Sequence, residues 1–200
     1  MTIQGIGKSS EIKGIDLFKN KNLFFISTEK ISDTLIKQNA NVSNIRITKK
    51  FPDTLEIVVD TFSPIAKMET NAGYLYLAEN GRILNKIKQK PTDSYPLIHY
   101  YQKIIHDRFS TGELLNYTDI LTALFFIKAL NDLNIKTDSI DILGADMILL
   151  NISERQILIA NNKDKEYQRL VLFELIRQFK IEGKEFRKID LRFDKPIVTF

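Results

Sequence analysis

Leu55, Ile57 and Val59 alternate with Glu56, Val58 and Asp60. Successive side chains of a strand point to opposite faces, so this spacing suits a half-buried strand and no helix. Immediately before it, Phe51-Pro52-Asp53 has the residues of a tight turn: proline sets φ and aspartate is turn-prone. Val42, Ile45 and Ile47 open a partner strand that runs to Lys50. Upstream, Thr28 with Glu29, Lys30, Ile31, Leu35 and Ile36 reads as an N-cap followed by an amphipathic helix. It is preceded by the apolar run Asn22–Ile26 and should fail near Asn39–Asn41. Thr2–Ile6 is β-branched and suits a first strand, and Ser9-Ser10-Glu11 could cap a short helical turn ending near Gly14. The first 60 residues thus read β-α-α-β-β.

Ser63-Pro64 looks like a boundary, which gives domains at 1–62 and 63–200. Beyond it the chain is strand-rich. Ile65–Thr70, Tyr74–Ala78 and Arg82–Ile87 are short strands joined by Asn71-Ala72-Gly73 and Asn80-Gly81; Asn-Gly is a strong hairpin signal. Pro96–Tyr100, Ser139–Leu143, Met147–Ile152, Gln156–Ile159, Phe186–Phe193 and Ile197–Phe200 are further strands, and Tyr117–Leu133 and Tyr167–Ile181 are helices, the second closed by Gly183. The fold class is α+β.

Composition narrows the function classes. Apolar residues are 44% and charged residues 27% of 200, ordinary for a globular protein. The net charge of +4 is spread evenly: residues 1–62 carry nine basic and seven acidic side chains, and residues 63–200 carry 20 and 18. A nucleic-acid binder concentrates its charge, so none is expected as a partner. The tightest cluster, Arg82, Lys86, Lys88 and Lys90, reads first as a solvated hairpin and loop, and second as contact with an anionic membrane or wall polymer. The longest uninterrupted apolar helix candidate, Ile120–Ile127, is far short of the roughly 20 residues that cross a bilayer. Met1 leads straight into strand-like sequence without a signal peptide. The chain is therefore either cytosolic or preceded by an anchor outside these 200 residues.

No catalytic or metal-binding constellation emerges. There is no cysteine, which removes disulfides, thiolate sites and cysteine nucleophiles. His99 and His106 stand seven apart in a strand-and-loop region and read as ordinary polar surface residues. Asp138 and Asp141 on a strand would face opposite ways and read as solvated positions. Gly7-Lys8-Ser9 lacks the rest of a phosphate loop. The expectation is no enzyme, no metal and no cofactor. Tyr95–Tyr101, an aromatic-dense stretch, reads as core packing ahead of a binding platform.

Three motifs carry a resemblance. Ile45–Ala66 has a basic strand, Pro52, Thr54, Leu55, the aliphatics Ile57 and Val59, and then Pro64 and Ala66. Gly73–Leu77 is followed by Asn80-Gly81-Arg82-Ile83, and Lys188-Ile189-Asp190-Leu191-Arg192-Phe193 comes near the end. In this order they resemble the FtsQ/DivIB family of bacterial cell-division proteins, although Thr61-Phe62 stands where the family often has Glu-Arg. The resemblance implies a POTRA domain (β-α-α-β-β) followed by a mixed α/β "β domain" with a mainly antiparallel sheet and two helices. It implies a non-enzymatic divisome scaffold in the plasma membrane. Such a scaffold is single-pass, with this chain on the extracytoplasmic side and an N-terminal anchoring helix that these residues lack. Implied partners are FtsB/DivIC- and FtsL-type proteins and, indirectly, septal peptidoglycan synthases. In the family the last strands take a partner segment as an added strand, β-augmentation. That nominates Arg192, Phe193 and Asp194, with Ile197, Val198 and Phe200 on the following strand. An alternative is a POTRA-type docking or chaperone module of an outer-membrane assembly or secretion system, which would call for repeated POTRA domains or a following barrel.

Overall fold

A computed structural model describes residues 2–6, 12–19, 21–144 and 146–200. The chain divides into two compact units, residues 1–63 and 64–200, each with its own core. The expected cap at Ser9–Glu11 lies outside the described residues.

In the first unit the strands β1 (Thr2–Ile6), β2 (Val42–Lys50) and β3 (Thr54–Thr61) make a sheet of order β1-β3-β2. β1 runs parallel to β3 and β2 antiparallel to it. Among the described residues, two helical elements lie between β1 and β2: a single 3-10 turn, Ile15–Phe18, and then the helix α1 (Thr28–Gln38). Ser27, not Thr28, is the N-cap, because its hydroxyl accepts from Lys30 N at 3.4 Å. Ile31 and Leu35, four apart and so on one helix face, bury against Leu55, Ile57, Val42 and Ile45. Asn39 closes the helix: its amide donates to the carbonyls of Leu35 (2.8 Å) and Lys13 (3.0 Å) and accepts from Lys13 N. The apolar run before α1 is only half absorbed. Leu23 is buried, whereas Phe24 and Phe25 stand in solvent.

The second unit is built on a nine-stranded sheet. Its strands are β4 (Ala66–Thr70), β5 (Gly73–Leu77), β6 (Ile83–Ile87), β7 (Leu97–Tyr100), β8 (Ser139–Gly144), β9 (Met147–Ile152), β10 (Arg155–Ala160), β11 (Lys188–Asp190) and β12 (Ile197–Thr199). The spatial order is β12-β11-β10-β9-β8-β7-β4-β5-β6. Five neighbouring pairs are antiparallel and three parallel.

Parallel neighbours need a crossover. The helices α2 (Thr118–Asp132) and α3 (Lys165–Glu182) supply it for the pairs β7–β8 and β10–β11. Both helices share one core with the alternate residues of the sheet, such as Met68, Leu75, Ile98, Ile140, Leu150 and Ile189. α2 is buried almost all round, as its apolar sequence requires. α3 buries the stripe Gln168, Leu172, Ile176 and Phe179. Asp164 caps its start by accepting from Tyr167 N at 2.7 Å, and Gly183 ends it with φ at 63°.

The face of the sheet away from the helices is mixed. Lys67 is buried there, and its ammonium donates to the carbonyl (2.9 Å) and carboxylate (3.2 Å) of Asp93, which also receives the hydroxyl of Tyr76. Burial, then the Asp93 carboxylate, pushes the Tyr76 phenol up to about 12. Of the aromatic stretch, Leu97 and Tyr100 are half-buried and Ile98 is fully buried, while Tyr95 and Tyr101 are exposed.

Candidate functional site

The two ends of the nine-stranded sheet are finished differently. At one end, β6 is covered. Its neighbour on the open side is the segment 112–115: Ile83 N donates to the Glu113 carbonyl (2.9 Å), Gly112 N to Ile83 O (2.7 Å) and Leu115 N to Gly81 O (2.9 Å). Arg82 and Leu114 form a β-bridge. Two members of the basic cluster hold the same strap: Arg82 donates to Gly112 O at 3.2 Å and the Lys86 ammonium to Phe109 O. Those two cations belong to the fold, while Lys88 and Lys90 face solvent.

At the other end, β12 pairs with β11 alone among the described residues. The register sets Thr199 opposite Lys188, Val198 opposite Ile189 and Ile197 opposite Asp190. Val198 packs on the core. Ile197 is 52% exposed. Phe200 meets the Phe179 ring in an edge contact with centroids 5.5 Å apart, has the Lys184 ammonium over its own ring at 5.9 Å, and is 59% exposed. A strand that keeps one row of backbone groups unpaired is a template for another strand.

Beside this strand runs a hollow of about 470 Å³ between α3 and the segment 191–196. Tyr167, Gln168 and Val171 line it from the helix, and Leu191, Phe193, Asp194 and Pro196 from the other side. Past Val171 and Pro196, which it shares, a shallower hollow of about 550 Å³ continues along Leu170, Leu175 and Ile181. Phe193 is 51% exposed at the first of these, and Asp194 pairs with Lys163 at 2.8 Å.

Arg192 lies over the Phe193 ring, its guanidinium carbon 5.7 Å from the ring centroid. Its guanidinium grips both oxygens of Asp190 at 2.9 and 2.7 Å and reaches Met147 Sδ at 3.0 Å. That contact holds the Asp190 carboxyl below its ordinary value against the opposing effect of burial. The charge of Arg192 is thus committed within the unit.

Of the six nominated residues, Ile197, Val198 and Phe200 sit on or at the end of the open strand, Phe193 and Asp194 line the hollow next to it, and Arg192 braces the turn between them. The nomination missed Tyr167, Leu170 and Ile181, apolar and exposed on α3. A signal for them exists: they form a second stripe on α3, opposite to Leu172, Ile176 and Phe179, at helical spacing.

The remaining candidates are structural. His106 is buried, contrary to its reading as a surface residue. Its ring Nδ1 lies 3.0 Å from Thr70 Oγ1, and its backbone N donates to Asn71 Oδ1 at 2.8 Å. The reason is local: Asn71 N in turn bonds to Ile104 O, so the turn after β4 draws the histidine loop inward. His99 stays half-exposed, 3.1 Å from Glu69. Asp138 and Asp141 are bonded rather than merely solvated: Asp138 accepts from Ser153 N (2.5 Å) and Asp141 from the Asn151 amide (2.7 Å). Among the described residues no group of three histidines and carboxylates could hold a metal ion, and no helix is long and apolar enough to cross a membrane.

Residues 8–60 match the family model described as POTRA domain, FtsQ-type. No curated protein matches the chain. The N-terminal unit carries a POTRA domain of the kind found in membrane-associated cell-division proteins, a non-catalytic module for protein interaction.

Proposed function

We propose that this chain is the extracytoplasmic part of a divisome scaffold of the FtsQ/DivIB family, with its FtsQ-type POTRA module followed by the β domain at residues 63–200. It acts without catalysis. A single membrane helix ahead of these residues anchors it in the plasma membrane, and it connects division proteins by taking a strand from an FtsB/DivIC-type partner onto β12. FtsL-type proteins and septal peptidoglycan synthases follow through that partner. The observation that carries this reading is the unequal finish of the sheet, one edge strapped over and the other bare among the described residues, in a chain with an FtsQ-type domain at residues 8–60. Proteins usually blunt an apolar edge; leaving Ile197-Val198-Thr199-Phe200 open beside an apolar hollow fits a guest strand whose side chains enter that hollow.

The test is calorimetric titration with the soluble C-terminal segment of a DivIC-type partner. Phe193→Ala and Ile197→Lys each change an exposed side chain, so the melting temperature should hold. Each should weaken binding by about 2 kcal/mol or more, the size of a hot-spot loss. Arg192→Glu would confuse the result, since it also strands the buried Asp190 carboxylate. If both variants bind as tightly as the parent, this edge is not the docking site.

A further inference from the structure

Three phenylalanines stand in water at one end of the first unit. Phe24 is 71% exposed, Phe25 88% and Phe51 59%. Phe24 and Phe51 come from different loops, the turn before α1 and the turn between β2 and β3, yet their rings meet with centroids 4.9 Å apart. The unit has a formed core that leaves them out. A contiguous exposed apolar patch on a small unit marks a contact surface.

The charge around the patch gives its partner. The first loop and the end of β2 bring Lys19, Lys21, Lys49 and Lys50 beside the patch; Lys19 pairs with Asp16 at 2.5 Å and Lys50 with Glu56 at 2.7 Å, which leaves Lys21 and Lys49 against Asp53, a net of +1. Each loop runs from lysines into phenylalanine. Rings at loop tips with cations just behind them match an anionic bilayer, where apolar groups enter the acyl boundary and ammonium groups remain among the phosphates.

Strand register supplies the orientation. Thr2 pairs with Thr54, so β1 begins at the same end as the turn bearing Phe51. An anchor joined ahead of β1 would enter the unit beside the phenylalanines; this step rests on the proposed membrane anchoring. We infer that Phe24, Phe25 and Phe51 form a membrane-contact surface that dips into an anionic phospholipid bilayer and sets the first unit upright on it.

Sedimentation of residues 1–200 with vesicles tests this. The parent should co-sediment with phosphatidylglycerol–phosphatidylethanolamine vesicles and far less with phosphatidylcholine vesicles. Phe24→Ser/Phe25→Ser/Phe51→Ser should reduce binding to the anionic vesicles by at least about tenfold. Phe25→Trp should show blue-shifted emission on those vesicles and quenching by brominated acyl chains. The serine variant should keep its circular dichroism and its affinity for the DivIC-type segment, because β12 lies in the other unit. A parent that ignores both kinds of vesicle, a parent that binds both equally, or a serine variant that binds like the parent would each overturn the inference. A parent that binds the anionic vesicles but not the DivIC-type segment would instead overturn the strand-addition reading and leave this one standing.

Discussion

Thr70 fixes the tautomer of His106. Its hydroxyl has one proton and gives it to the Gly73 carbonyl at 2.7 Å, so towards His106 it can only accept. Nδ1 therefore carries the hydrogen. Burial first, then the nearby Lys86 and with it Lys88, lower the pKa below the usual 6.5, while Asp107 opposes them. The unfolded chain binds this proton more readily than the folded one. The stability His106 contributes is therefore complete above the ordinary histidine value and is lost as pH falls through it towards the folded value. The melting temperature of the parent should drop more between neutral pH and mild acid than that of His106→Gln, which has nothing to protonate there. Equal slopes in a pH series of melts would refute the assignment. None of this was legible in two histidines seven residues apart. Their spacing excluded a metal pair, but burial arose from the pairing of Asn71 with Ile104, a contact 33 residues long in sequence.

Elements were readable where one periodicity ruled and obscure where side chains competed with the backbone. The alternation at Leu55–Asp60 and the turn at Phe51–Asp53 led directly to β2 and β3. The strand expected over Phe186–Phe193 is only Lys188–Asp190. Asp190 Oδ1 accepts the backbone N of Arg192, a local bond that turns the chain out of the sheet. The strap over β6 left no pattern in the sequence, since it is a stretch of backbone held by backbone. It leans on Gly81, whose φ is 80° and where an added Cβ would lie 2.8 Å from the Leu115 carbonyl oxygen. Gly81→Ala should therefore cost about 2 kcal/mol in urea unfolding, through a strained φ and displacement of the strap. A loss within a few tenths of a kcal/mol would mean the strap tolerates the change.

For the whole molecule, the order β12-β11-β10-β9-β8-β7-β4-β5-β6 puts the strand that opens the second unit inside the sheet and the most C-terminal strand at its rim. Sequence order alone could not give that arrangement; the two helical crossovers and the parallel pair β4–β7 produce it. Self-association through the rim should stop at pairs in sedimentation velocity runs, and Gly81→Ala, by loosening the strap, should add larger species. A ladder of oligomers from the parent would contradict the covered edge. The strap thus sets a valence. A sheet with two bare rims is a monomer for open-ended polymerisation, each addition exposing the next site. With one rim closed, two copies that pair through their remaining rims leave none between them, and such an assembly ends at a pair.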